Sequence, residues 1–253
     1  MKVTRKNVIT RILALVLAVM AVLTALPFGS IVASAATTYN GGYGITVGEM
    51  TVYSDAACTT YKGKLYDNES FTVLNKISNS VFNIEYSTSN GPKEGYIRVD
   101  NDWNSIQDRT SNSCVAVAKA ATNVYYGNSS STYLRAGSVS AGERVVVVSK
   151  YGSWAYIEYN TNSGRKRGFV ASSSLTYYNE PSSYGDFFLD NYADPDAVGN
   201  SYTVYAGPTY RYAAVGSVSA EDVILYGADN GGYFIVYSVS GSSQLKSGFI
   251  FIG

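Results

Sequence analysis

The chain has 253 residues, of which 46% are hydrophobic and 15% are charged, and it contains 24 Tyr, 2 Cys and no His. So many aromatic and so few charged residues exclude a disordered tail. The absence of His excludes Ser-His-Asp and Cys-His catalytic pairs and every His-ligated metal site.

Residues 1–35 have the pattern of a secretory signal peptide. All their charged residues are basic and precede the apolar stretch Ile12–Leu26, and Ala33-Ser34-Ala35 supplies the small residues of a cleavage site. The length of the segment is typical of Gram-positive bacterial signals. We expect cleavage after Ala35 or Ala36. The alternative is an uncleaved membrane anchor, but the apolar stretch is shorter than the ~20 residues that a span prefers.

The exported chain is therefore expected outside the cell, secreted or associated with the cell wall, with no membrane segment after cleavage. It keeps 15 basic and 19 acidic residues, so it has no basic field that would attract nucleic acid. An oxidising compartment permits a disulfide between Cys58 and Cys114. The alternative is two independent small apolar residues. We predict no cofactor and no metal.

Three segments of the exported chain repeat the same series of residues. In each, a Val-Tyr pair is followed 43 or 44 residues after its tyrosine by an aromatic residue that stands next to a glycine. Between them, a glycine precedes an acidic residue by six positions in every copy. The leading tyrosines are Tyr53, Tyr125 and Tyr205, the closing aromatic residues are Tyr96, Phe169 and Phe249, and the glycine–acid pairs are Gly63 and Glu69, Gly137 and Glu143, Gly216 and Asp222.

Each repeat is predicted to be all-β, because short β-branched and aromatic runs alternate with Gly, Asn and Ser clusters. Closing each small sheet into a barrel would remove most unpaired strand edges. The sequence thus predicts three tandem small β-barrels. The expected organisation is a signal peptide at 1–35, a linker at 36–44, barrels at 45–105, 115–177 and 198–253, a linker at 106–114 and an acidic linker at 178–197.

The order of these motifs resembles the bacterial SH3-like (SH3b) domain family. Val204-Tyr205-Ala206-Gly207-Pro208 is similar to the family's V-R-x-G-P opening, with Tyr in place of Arg. The segment from Gly152 to Ile157 is similar to its G-x-W-Y-x-V motif, and Gly168-Phe169-Val170 to its closing G-[WYF]-V. The resemblance implies SH3-like barrels of the kind attached to cell-wall hydrolases, where some recognise peptidoglycan peptides. The NlpC/P60 enzymes among those hydrolases require Cys and His, so a chain without His is expected to bind without catalysis.

The best candidate binding surface is a set of aromatic residues in the opening loops and a later strand. Exposed tyrosines combine a flat apolar face with a hydroxyl, which suits both peptides and sugars. The alternative is that several of these rings fill the cores of small barrels. The set comprises Tyr53, Tyr61, Tyr125, Tyr126, Tyr133, Trp154, Tyr205, Tyr210, Tyr212 and Tyr233.

Charge is distributed unevenly along the exported chain. The middle repeat is basic, and its run Arg165-Lys166-Arg167 lies on a predicted hairpin. Short charge runs usually face water, so a solvated hairpin tip is the favoured interpretation. The alternative is a basic patch that binds anionic wall polymer or peptide carboxylates.

The linker at 178–197 contains five acidic residues and no basic one. Asp190, Asp194 and Asp196 occupy alternating positions, as ligands do in calcium loops, but Pro195 stands where such a loop needs glycine. A plain acidic linker is favoured over a calcium site. A third possibility is that the linker docks on the basic middle repeat.

We therefore predict a secreted, non-enzymatic protein that binds cell-wall material, with peptidoglycan peptides as the ligand. The alternatives are a protein-interaction or adhesion module that binds a surface protein, and a carbohydrate binder that uses exposed tyrosines.

Overall fold

The computed structural model describes residues 38–99, 106–185, 200–219, 223–229 and 231–252, and the side chains of 223–229 are not described. The predicted signal peptide and the three aspartates of the calcium alternative lie outside these residues. The regular secondary structure of the described chain is almost entirely β, as the sequence predicts, and forms three antiparallel sheets. Within the same ranges, no helix is long and apolar enough to cross a membrane.

The first sheet has seven strands in the order β3-β2-β6-β5-β4-β1-β7. The strands are β1 (Tyr43–Thr46), β2 (Met50–Tyr53), β3 (Tyr61–Leu65), β4 (Ser70–Lys76), β5 (Val81–Tyr86), β6 (Lys93–Arg98) and β7 (Ile106–Asp108). A 3-10 turn at Thr110–Asn112 leads into the second sheet.

The second sheet repeats this order as β10-β9-β13-β12-β11-β8-β14. Its strands are β8 (Cys114–Ala118), β9 (Thr122–Tyr125), β10 (Arg135–Val139), β11 (Arg144–Tyr151), β12 (Trp154–Thr161), β13 (Gly164–Ala171) and β14 (Leu175–Tyr177), with a 3-10 turn at Ser172–Ser174 before β14.

The third sheet has five strands, in the order β16-β15-β19-β18-β17. They correspond to β2–β6 of the first sheet, and β1 and β7 have no counterpart among the described residues. The five strands are β15 (Tyr202–Tyr205), β16 (Ala214–Val218), β17 (Val223–Asp229), β18 (Gly232–Ser238) and β19 (Leu245–Ile250). No strand pairing joins the edge strands of any of the three sheets in the described residues, so none is a closed barrel by hydrogen bonding.

The repeated glycine has a packing reason. A Cβ atom added at Gly63, Gly137 or Gly216 would lie 2.9, 2.7 or 2.6 Å from the hydroxyl oxygen of a tyrosine in the same sheet. No real Cβ packs so closely, so any larger residue forces the ring away. The three tyrosines lie near the ends of equivalent strands, Tyr86 in β5, Tyr159 in β12 and Tyr237 in β18. The glycine is repeated because each copy has to leave room for this ring.

The repeated acidic residue closes a turn before the following strand. Glu69 accepts the backbone N–H of Tyr66, and Glu143 accepts that of Ser140, each at 2.8 Å. A side-chain oxygen that bonds a backbone N–H three residues earlier fixes such a turn. The corresponding Asp222 lies outside the described residues.

Each sheet has its own apolar core, and further contacts join the sheets to one another. Tyr156 and Phe169 of the second sheet pack with Phe234 and Phe249 of the third in one buried aromatic cluster. The first and second sheets meet through smaller clusters, one of which contains Ile45 and Val146.

Backbone hydrogen bonds also connect the sheets. The N–H of Leu134 donates to the carbonyl of Leu245 at 3.0 Å, and the N–H of Arg167 donates to the carbonyl of Ala206 at 2.8 Å. All three sheets thus belong to one compact unit.

Candidate functional site

The basic run at 165–167 is not a solvated hairpin tip, so the favoured interpretation of that run is wrong. Arg165 and Arg167 are only 4% and 7% exposed, and their Nε atoms donate to the buried carboxylate of Glu158 at 2.5 and 3.0 Å. Glu158 lies opposite Arg167 in the β12–β13 pair. Alternate residues of a strand share a face, so both arginines reach this carboxylate while Lys166 points to the other face.

All three sheets contribute to this buried charge cluster. Tyr212, from the third repeat, donates its hydroxyl hydrogen to Glu158 at 2.5 Å, and its oxygen lies 3.1 Å from that of Tyr43 in the first sheet. Arg165 also donates from Nη2 to Thr72 Oγ1 of the first sheet at 2.9 Å. The cluster is buried because the first and third sheets cover this face of the second.

The protonation states within the cluster follow from these contacts. Burial alone would raise the pKa of Glu158, but the charges of Arg165 and Arg167 and the Tyr212 hydroxyl hold that pKa below its ordinary value. Burial and the neighbouring Glu158 charge raise the pKa of Tyr212. Glu158 is therefore ionised at neutral pH, and Tyr212 remains a hydrogen-bond donor to it.

A cleft of about 420 Å³ opens beside this cluster, and we call it the junction cleft because all three repeats line it. Most of its lining is polar and able to hydrogen-bond. Its hydroxyl and amide side chains are those of Tyr66, Ser70, Ser87, Thr88, Ser89, Asn162 and Ser163. Its charged side chains are those of Glu69, Arg165 and Arg211.

Two guanidinium groups line the junction cleft. Nη1 of Arg165 is buried and has no hydrogen-bond partner among the described residues. Arg211 donates from Nε to the carbonyl of Asp67 at 3.2 Å, and its guanidinium carbon lies 5.4 Å from the ring centre of Tyr66 and 5.7 Å from that of Tyr210. Neither Nη group of Arg211 has an acceptor in the part of the chain that the structure describes.

Among the described residues, Glu69 supplies the one acidic side chain of the junction cleft. Its Oε2 atom is occupied by the backbone N–H of Tyr66. Burial raises the pKa of Glu69, against the opposing charges of Arg211 and Arg165. With two guanidinium groups and one carboxylate, the lining has a net positive charge at neutral pH. Such a lining attracts anions, and planar guanidinium groups match carboxylates and phosphates in particular.

A second cleft of about 450 Å³ lies on the other side of the β12–β13 turn, and we call it the flanking cleft. Asn162 lines both clefts. In the flanking cleft, Glu85 accepts hydrogen bonds from Arg144 and from Asn160 Nδ2, and Arg144 also pairs with Glu94. Glu143 lines this cleft as well.

Charge in the flanking cleft is opposite to that in the junction cleft. Glu85 and Glu143 outnumber the one lining cation, Arg144, whose charge is already shared between two carboxylates. Burial raises the pKa of Glu143, and the nearby charge of Glu85 adds to the effect. A cation in this cleft would favour the ionised form of Glu143.

The structure separates the predicted aromatic surface into three groups. Tyr126 and Tyr212 are buried, so the interpretation of these two as exposed ligand-binding residues is wrong. Tyr61, Tyr210 and Tyr233 are 70%, 54% and 38% exposed and lie on different elements. The remaining residues are half-buried: Tyr53, Tyr125, Tyr133, Trp154 and Tyr205.

The half-buried rings are fixed by their neighbours. Tyr125 meets Trp154 edge-on with ring centres 5.8 Å apart, and Tyr205 meets Phe251 at 5.6 Å. Tyr133 packs against the aromatic cluster between the second and third sheets. These positions hold aromatic residues because the rings fill gaps beside and between the sheets.

Sequence reasoning missed Tyr66, Glu69 and Arg211 as site residues. The one local signal was the run Tyr210-Arg211-Tyr212, in which an arginine stands between two tyrosines. Tyr66 and Glu69 carry no such signal, because they reach the cleft only through the docking of the first repeat.

Of the two alternatives for Cys58 and Cys114, the structure shows independent residues: no disulfide joins them, and both cysteines are free. Cys58 lies in the turn after β2, where its sulfur faces the carbonyl of Ala56, whereas Cys114 is fully buried at the start of β8 beside the Tyr184 hydroxyl at 3.4 Å. The two cysteines thus belong to different sheets and have different surroundings.

The described start of the acidic linker docks on the middle repeat. Glu180 pairs with Lys150 of β11 and accepts a hydrogen bond from the Tyr184 hydroxyl. The Lys150 ammonium also lies 3.9 Å from the ring centre of Tyr177. Within the described residues, no group of three or more acidic or cysteine side chains is arranged to hold a metal ion.

The class of protein is thus an all-β protein of three docked antiparallel sheets with a charged polar cleft at their junction. No family model matches the chain, and no curated protein matches it.

Solved structures with some similarity include NlpC1 from Trichomonas vaginalis, at 11% identity over 86% of this chain and 94% of that one, with a TM-score of 0.26. NlpC2 from the same organism has 11% identity over 85% and 98%, with a TM-score of 0.25. An NlpC/P60 family protein from Bacillus cereus has 9% identity over 83% and 99%, with a TM-score of 0.21. Similarity at such TM-scores carries no argument about fold or activity.

Proposed function

We propose that this is a secreted, non-catalytic protein that binds peptidoglycan peptides in the junction cleft. The observation that carries the proposal is the exposed Arg211 guanidinium, whose Nη groups have no acceptor in the described part of the chain, beside the positive charge of Arg165. A peptide carboxylate would supply that acceptor through a charge-assisted hydrogen bond. The serine, threonine and asparagine lining suits the amide groups of a peptide.

The proposal includes the SH3-like character of the three repeats. Two features support it: the five strands that all three sheets share have the same order, and the SH3b-like motifs lie at corresponding places. Gly168-Phe169-Val170 lies in β13 and Trp154 begins β12, while Gly248 and Phe249 occupy the matching part of β19. The ligand-binding unit we propose is the assembly of three repeats, because the junction cleft needs residues from all of them.

Co-sedimentation of the full exported chain with purified peptidoglycan tests the function. We expect the protein to pellet with intact peptidoglycan and to remain in solution when the peptide stems have been removed. The variant Arg211→Gln should weaken pelleting by about tenfold, the scale of one charged hydrogen bond. Arg98→Gln is the matched control, because Arg98 is also exposed and also donates to one backbone carbonyl, but lies outside the cleft.

Failure to pellet at all would overturn the proposal, and so would equal losses in the two arginine variants. A surface protein would then be the better candidate for the partner.

A carbohydrate ligand is the second candidate, favoured by the exposure of Tyr61. Its ring is 70% exposed in β3, where a sugar could stack on the flat face. Under this alternative, pelleting survives removal of the stems and is lost in Tyr61→Ala.

A further inference from the structure

We propose that the junction cleft and the flanking cleft bind opposite ends of one short peptide, the carboxylate in the first and an ammonium group in the second. The inference rests on the proposed function, since it specifies the peptide that this protein would recognise. Neither cleft alone defines such a ligand. A positive cleft and a negative cleft that share the turn residue Asn162 together define a ligand with one charge of each sign.

The anionic end of the ligand is set by the junction cleft. Arg165 is held rigidly, because its Nε donates to Glu158 and its Nη2 donates to Thr72, so it contributes a fixed positive charge to the wall of the cleft. Arg211 is held by the Asp67 carbonyl and by the rings of Tyr66 and Tyr210. Preorganised donors of this kind bind a carboxylate without first losing side-chain freedom.

The cationic end is set by the flanking cleft. Both oxygens of Glu85 are already hydrogen-bonded, to Arg144 and to Asn160. In Glu143, the Ser140 N–H occupies Oε2. Oε1 of Glu143 therefore remains as an acceptor for an ammonium group, and no cation of the described chain is paired with it.

The turn between the clefts sets the length of the ligand. Asn162 lines both clefts, so a ligand that crosses this residue passes from one to the other. The two strands of a hairpin are about 5 Å apart, and an extended peptide advances about 3.3 Å per residue. A ligand whose two charged residues are about two positions apart therefore spans the turn, with the Asn162 side chain available to its backbone.

Titration calorimetry with synthetic tripeptides tests this inference on the full exported chain. The parent probe is N-acetyl-Lys-Ala-Ala with a free carboxylate. The first analogue carries an acetylated lysine side chain, and the second a C-terminal carboxamide. We expect the parent to bind, and each analogue to bind about tenfold more weakly, as the loss of one charged hydrogen bond implies.

Two variants assign the ends of the peptide to the two clefts. Glu143→Gln should weaken the parent about tenfold but leave the acetyl-lysine analogue unchanged, because that analogue has no ammonium to lose. Arg211→Gln should likewise weaken the parent but not the carboxamide. The Gln side chain can still accept the Ser140 N–H, and an unchanged thermal melt will show that the turn is intact.

Matched controls are Glu49→Gln and Arg98→Gln, since both residues are exposed and lie outside the two clefts. Neither control should alter the affinity of any probe. The inference is overturned if the parent does not bind, or if Glu143→Gln weakens the parent and the acetyl-lysine analogue equally or weakens neither. If stem-dependent pelleting and the Arg211→Gln effect persist in that case, the proposed function stands and only the two-cleft ligand fails.

Discussion

Replacing Glu158 with Gln removes the one carboxylate on which the contacts among the three sheets converge. Glu158 accepts hydrogen bonds from Arg165, Arg167 and Tyr212, and it is fully buried. Gln keeps the size of the side chain but offers one oxygen, and its amide N–H₂ group faces donors instead of acceptors. Two guanidinium charges would then be buried without their counter-charge.

The expected loss of unfolding free energy is about 3–5 kcal/mol, the range for removing one partner of a buried ion pair. The two arginine side chains are each 4% exposed, so water cannot replace the lost contacts. Glu49→Gln is the matched control. Its partner Lys64 lies 2.6 Å away, but the two side chains are 58% and 39% exposed, so this variant should cost less than about 1 kcal/mol.

Urea unfolding followed by circular dichroism measures both losses. The three sheets pack on one another, so we expect one transition in the unmodified protein. A loss below about 1 kcal/mol in Glu158→Gln, or equal losses in the two variants, would refute the reasoning that this cluster holds the sheets together.

The same pair of proteins gives a pH test with a definite sign. Burial acts to raise the pKa of Glu158, but Arg165 and Arg167 hold it below its ordinary value. A lowered pKa contributes stability above the unfolded-state value of about 4.3, and this contribution is lost as the pH falls through the folded-state pKa. The stability difference between the unmodified protein and Glu158→Gln should therefore shrink as the pH is lowered from 7 to below 4. A constant difference would contradict the assignment.

Three further results are expected. Gly137→Ala should cost about 1–3 kcal/mol in urea unfolding, because its Cβ would lie 2.7 Å from the hydroxyl oxygen of Tyr159. Without reductant, a thiol reagent should label both cysteines in the unfolded chain but only Cys58 in the folded chain. Cys114 is buried, and burial raises the pKa of its thiol. An unfolded chain that takes up no label would indicate a disulfide. Tyr212→Phe should cost about 1.5–3 kcal/mol, the range for a hydrogen bond to a charged group, and an unchanged unfolding curve would exclude that bond as a stabilising contact.

The all-β class could be predicted because its determinants are local and repeated. Gly137 and Tyr159 are part of one sheet, and the same pair recurs in the other two repeats, so sequence spacing alone indicates it. The turn-closing Glu143 is local in the same way, since it bonds a backbone group three residues away.

The site could not be predicted, because its determinants are long-range. Arg165 contacts Thr72, which is 93 residues away in sequence. The run at 165–167 has the composition of a solvated hairpin tip, but contacts of this kind bury its two arginines. Tyr210 and Tyr212 differ by two positions, yet one is exposed and the other buried. Only the packing of one sheet on another distinguishes them, and no local pattern encodes that packing.

The position of the carboxylate that anchors the cluster has different surroundings in each repeat, and it is acidic in only two of them. The first has Glu85, which binds Arg144 of the second; the second has Glu158; and the third has Val236, which packs in the aromatic cluster between sheets. The protein is in this sense a pseudo-trimer whose three repeats are not equivalent. Exchanging the second and third repeats would carry Glu158 and its two arginines into the place where Val236 packs against aromatic rings, so the order of the repeats along the chain is itself a structural constraint.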